Sequence, residues 1–96
     1  MASHGTTTFA VLEAIYDHYQ KSRIGPTLEE IRTEVGLSSP SAVHFHIRKL
    51  EDDALVQRLP GKHRSLRMTR KGAKMVVLMR SLEDEFDGTD STTEQQ

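Results

Sequence analysis

The sequence predicts a mainly α-helical domain carrying one small β-hairpin, and three observations predict it. Apolar residues recur at helical spacing near both ends of the chain. Two helix-start signatures, Thr27 with Glu30 and Ser39 with Pro40, follow one another closely. A turn-rich segment, Pro60-Gly61-Lys62-His63-Arg64, then separates two short runs that read as strands.

Phe9, Leu12, Ile15, Tyr16 and Tyr19 share one face, so residues 7 to 21 are expected to form an amphipathic helix that stops before Gly25-Pro26. Thr27 stands three residues before Glu30, a capping box in which each side chain satisfies the other's exposed backbone N–H. Leu28, Ile31 and Val35 carry the apolar face of this second helix, over 27 to 35, up to Gly36. Ser39 suits an N-cap and Pro40 the first helical position, where its missing N–H is not needed, so a third helix is expected over 39 to 53. Two short helices joined by a bend at Gly36 make a helix-turn-helix. The strands are expected over 55 to 59 and 65 to 69, and a helical pattern returns from Thr69 to about Phe86. The predicted fold is therefore a winged helix-turn-helix with an additional C-terminal helix. The expected organisation is a tail over 1–6, the winged domain over 7–69, a C-terminal helix over 70–87, and a disordered acidic tail over 88–96.

Ninety-six residues support one modest core. The chain has no cysteine, which excludes disulfides and thiolate metal sites and makes the cytoplasm the default compartment. No stretch approaches the roughly 18 apolar residues of a membrane helix. Net charge is −1, but the charges are segregated. Ala54 to Leu82 holds eight basic residues and no acid, whereas Glu83 to Gln96 holds six acids and no base. A masked basic block of this kind is either a solvated surface or a surface for a polyanion.

The third helix has two separately specified faces. Val43, Ile47 and Leu50 cluster on one side, and Ser41, His44, Phe45 and Arg48 on the other. His44 and His46 are two residues apart and cannot chelate one ion as an i, i+4 pair would, and His46 is expected to be a packed, hydrogen-bonded histidine. There is no Gly-rich phosphate loop, no ligand cluster and no defensible Ser, His, Asp set, so neither an enzyme nor a metal or cofactor site is expected. Asp52 and Asp53 are expected to shape the turn into the hairpin.

Several segments together resemble the DNA-binding domain of LexA repressors. They are Gly25-Pro26-Thr27-Leu28-Glu29-Glu30-Ile31, Val35-Gly36-Leu37-Ser38-Ser39, Val43 to Glu51 and Arg64-Ser65-Leu66-Arg67-Met68, and the resemblance covers about residues 7 to 69. The Val-His-x-His spacing resembles the branch found in Gram-positive bacteria. Gly25 stands where the family often has a second proline, a difference expected to matter little. Phe45 stands where that branch often has a small residue, so the operator sequence does not carry over. LexA proteins also have a self-cleaving C-terminal domain with a serine-lysine dyad, and this chain is expected to act without one. Thr69-Arg70-Lys71-Gly72 and the helix after it resemble the post-wing segment of MarR-type regulators, where that helix often builds a dimer.

The resemblance implies a sequence-specific regulator of double-stranded DNA, a repressor, in the prokaryotic nucleoid. With the third helix in the major groove, Ser41, His44, Arg48 and the Ser39 turn can bond base edges or phosphates, and Phe45 can meet a thymine methyl. Ala42 would permit close approach, and Lys49 joins the same set. Lys62, His63, Arg64 and Arg67 on the wing are candidate backbone contacts. The alternatives are a protein-interaction module, in which Phe45 docks a partner, and a ligand-sensing regulator with a pocket lined by Met75 and Met79.

The last helix carries two apolar groups that one core cannot absorb. Met75, Leu78, Met79, Leu82 and Phe86 form the wider one, and Ala73, Val76 and Val77 lie nearly opposite. The wider stripe is expected to face the core and Val76 to sit at a homodimer contact, with the exchanged assignment left open. Such a dimer would recognise an inverted repeat.

Overall fold

The structure, a computed structural model, describes residues 6–59 and 66–88. The elements follow in the order α1 (Thr6–Ser22), α2 (Leu28–Val35), α3 (Pro40–Asp52), β1 (Val56–Arg58), β2 (Leu66–Met68) and α4 (Arg70–Gly88). This is a winged helix-turn-helix with a C-terminal helix. The expectations for the N-terminal tail, the wing tip with Lys62, His63 and Arg64, the acidic tail beyond Gly88 and the side chain of Phe86 lie outside the described residues.

Helix α1 is the hub, packing against α2, α3, β2 and α4. That explains why its buried surface is wider than a single stripe. Val11 and Ala14 are buried alongside Leu12 and Ile15, while Tyr16 and Tyr19 are only half-buried. Helix α2 begins at the expected capping box, with the Thr27 N–H donating to Glu30 Oε1 at 2.9 Å and the Glu30 N–H donating to Thr27 Oγ1 at 3.1 Å. It ends at Gly36, whose φ of 84° is the left-handed conformation glycine adopts without a Cβ penalty. Arg32 then ties the turn to the helix, donating to the Leu37 carbonyl at 3.2 Å. Helix α3 starts as expected, with Ser39 Oγ accepting the Ala42 N–H at 3.3 Å and Pro40 in the first turn.

The wing strands are antiparallel and shorter than expected, three residues each, with Val56 opposite Met68, Gln57 opposite Arg67 and Arg58 opposite Leu66. Val56 and Leu66 turn inward to the core formed by Leu12, Ile15, Ile31, Val43 and Ile47. The loop from α1 into α2 crosses this strand closely. A Cβ at Gly25 would lie 2.1 Å from the Leu66 carbonyl oxygen, so a larger residue here, the family's proline included, needs the loop or β2 to shift.

Helix α4 overturns the expected assignment of its faces. Val76 is fully buried in the core, not at an outer contact. Leu78, Met79 and Leu82 are exposed, as is Val77, and among the described residues of the wider stripe only Met75 packs against the core. The rotation of α4 about its axis follows from the line Gly72, Val76, Arg80. Gly72 abuts Leu55, where a Cβ would meet the carbonyl oxygen at 2.1 Å. Arg80 donates to Glu13 Oε2 and Asp17 Oδ2 of α1, both at 2.9 Å, and lies over the Tyr16 ring. Those two carboxylates raise the Arg80 pKa, keeping it charged. Thr69 caps the helix, accepting the Gly72 N–H at 3.0 Å and donating to the Ala54 carbonyl at 2.7 Å.

Candidate nucleic-acid interface

The chemistry of α3 follows from its burial. Val43 and Ile47 are fully buried and Leu50 nearly so, which fixes the helix rotation and turns Ser41, His44, Phe45, Arg48 and Lys49 to solvent. Phe45 is 60 % exposed, so it does not fold back into the core. Its face carries the Lys49 ammonium, 5.3 Å from the ring centroid, and it forms a T-shaped pair with the His46 ring at 5.1 Å and 77°. An aromatic held between a cation and an imidazole presents one apolar contact within a polar, basic surface.

His46 is held as a packed histidine. Its Nδ1 lies 2.7 Å from Thr8 Oγ1 on α1, a buried hydroxyl. Burial pushes the His46 pKa below its ordinary value, and the nearby Lys49 charge adds to the shift. This contact pins the base of the α3 face to α1, behind Phe45. Thr8 was missed in the sequence because its partner stands 38 positions away.

Ser39 has its oxygen engaged as the cap of α3, which leaves its hydroxyl proton to donate outward. Ala42, directly above this cap, is half-buried. Arg67 is exposed on β2, and Gln57 stands opposite it, also exposed. Gln57 is a candidate the sequence reading passed over, although the alternation of strand faces points to it. At the far end of α3, Arg58 pairs with Glu51 at 3.5 Å, and Lys71 donates to the Asp53 carbonyl at 2.9 Å. These two contacts lock the wing and the start of α4 against the end of α3.

Among the described residues, Met75 and Met79 do not share the cavity that Met75 lines. Met75 lines a cavity of about 60 Å³ with Thr8, Phe9, Leu12, Leu50 and Leu55, but Met79 does not. That volume is far below the roughly 300–1,000 Å³ of small-molecule sites. Among the described residues there is no cluster of His, Asp and Glu able to hold a metal ion, and no helix long and apolar enough to cross a membrane.

Comparison with known proteins places this arrangement. The family model described as LexA DNA binding domain matches residues 7–65, from α1 past β1 to the residue before β2. The chain belongs to the LexA DNA-binding-domain family. Among its relatives, the LexA repressor of Ligilactobacillus salivarius is 42% identical over 66 residues, covering 69% of this chain and 32% of that protein. The LexA repressor of Oenococcus oeni is 39% identical over 69 residues, covering 72% and 32%. That of Enterococcus faecalis is 37% identical over 71 residues, covering 74% and 34%. The chain thus spans about a third of the length of these relatives, and the family match ends before α4.

Proposed function

We propose that the chain is a sequence-specific, double-stranded DNA-binding transcriptional regulator of the repressor type. Helix α3 enters the major groove, where Ser41, His44, Phe45 and Arg48 meet base edges. Ser39 and Lys49 contact phosphates, and Ala42 lets the helix approach closely. The wing residues Lys62, His63, Arg64 and Arg67 grip the adjacent backbone. In this reading the chain is not an enzyme and needs no cofactor. It works in the cytoplasm, on the nucleoid, as a homodimer on an inverted repeat with half-sites about one helical turn apart.

The observation that carries this reading is the exposed α3 face, with Phe45 seated between Lys49 and His46. A polar, basic surface with one apolar contact matches the major groove, which offers hydrogen-bonding base edges and the thymine methyl. The family membership of residues 7–65 supports the same reading. Selection of bound sequences from a random duplex pool tests it. The expected result is enrichment of a motif with twofold symmetry. A pool that stays random overturns the proposal and makes the Phe45 surface a protein-docking one.

A further inference from the structure

We propose that the outward face of α4 is a self-association surface, on which α4 of a second copy packs antiparallel. The face is apolar where a surface helix is ordinarily polar, with Val77, Leu78, Met79 and Leu82 respectively 52, 59, 39 and 41 % exposed. Ala73, Lys74, Val77, Leu78 and Ser81 line a shallow, largely apolar depression along it. The small side chains of Ala73 and Ser81 allow another helix to approach closely. Arg80, the base that would otherwise interrupt this strip, is turned to Glu13 and Asp17 of α1.

Charge identifies the occupant. Helix α4 has no acid in its first turn and no base in its last. Its beginning carries Arg70, Lys71 and Lys74, and its final turns read Glu83-Asp84-Glu85-Phe86-Asp87. This polarity opposes the helix macrodipole, which favours acids at the N-terminus and bases at the C-terminus, so within one chain it stabilises nothing. A second α4 running antiparallel sets each basic beginning against an acidic end, twice by symmetry, with the apolar strip at the centre. A parallel pair would place like charges together at both ends. The same patch on both copies is what a twofold interface requires. The inference deepens the two-copy reading of DNA binding and rests on it only for the use to which the pairing is put.

The test uses the full chain without DNA. Sedimentation over a wide concentration range should show a reversible dimer that weakens as salt is raised. Leu78→Glu, at an exposed position, should keep the thermal melt of the parent while weakening the dimer at least about tenfold, because it brings a charge into the apolar strip. Direction is read from single cysteines, which are unambiguous in a chain that has none. Leu78→Cys, near the centre of the pair, should form a disulfide-linked dimer under mild oxidation. Arg70→Cys should not, because antiparallel pairing separates the two copies of that residue by most of the roughly 28 Å length of the helix. A chain that stays monomeric throughout, or an Arg70→Cys variant that cross-links as readily as Leu78→Cys, overturns the proposal. A monomer that still selects a DNA sequence overturns this proposal alone, whereas a dimer that selects none overturns the DNA reading alone.

Discussion

Replacing Phe45 with alanine separates recognition from stability, because the ring is 60 % exposed and its contacts with Lys49 and His46 lie within its own helix. In the free protein the substitution removes an exposed cation–π contact with Lys49, worth about 0.5–1 kcal/mol. Alanine's higher helix propensity returns about 0.5 kcal/mol, so net stability should change by no more than about 0.5 kcal/mol. On DNA the balance differs. A phenylalanine side chain offers about 200 Å² to bury, and 60 % of that, roughly 120 Å², is available. If a thymine methyl and its neighbours cover half of it, the contact contributes about 1.5 kcal/mol at 25 cal/mol per Å², or about tenfold per half-site. Two half-sites raise this to about 3 kcal/mol, roughly a hundredfold. The assay is fluorescence anisotropy at fixed salt on the selected duplex and on a scrambled one, with a thermal melt alongside. Phe45→Ala should lose affinity for the selected duplex and keep it for the scrambled one. Equal losses on both would show that Phe45 does not read sequence, and a melt lowered by more than a few degrees would show that the ring is structural.

The wing should behave oppositely. Lys62→Ala and Arg64→Ala are expected to weaken both duplexes alike and to reduce the salt slope by about one per lost phosphate contact, and a loss confined to the selected duplex would instead make the wing a reader of sequence. Gly25→Ala places a methyl 2.1 Å from the Leu66 carbonyl oxygen, an overlap that backbone must absorb. It should cost about 1–3 kcal/mol, a fall in melting temperature of roughly 4–8 °C per kcal/mol, and an unchanged melt would refute the close packing of that loop on β2. Because burial holds the His46 pKa below 6.5, the unfolded chain binds the proton more tightly. Stability is therefore full above about pH 6.5 and falls as the pH drops from there through the lowered folded value, which urea midpoints can follow. His46→Asn should flatten that window, and an undiminished pH dependence would assign it to another group.

What the sequence alone determined is what closes within a turn or two of chain. Thr27 and Glu30 lie three residues apart, as do Ser39 and Ala42, and Gly36 follows the last apolar residue of α2. Each of these devices places donor and acceptor on neighbouring residues, so local geometry settles it whatever the rest of the molecule does. The split of α3 into a buried face at Val43 and Ile47 and an outward face at Phe45 was legible for the same reason, since helical periodicity needs no partner. Helix α4 was different. It presents two apolar groups of comparable weight, and periodicity cannot say which turns inward. Packing took neither group whole, turning Val76 and Met75 inward and leaving Val77 and Leu78 exposed, because Gly72 fits against Leu55 and Arg80 reaches Glu13 and Asp17, more than sixty positions away in sequence. Of Gly72, Val76 and Arg80, only Val76 registers as hydrophobic, so the line that fixes the rotation of α4 was invisible until α1 and β1 stood beside it.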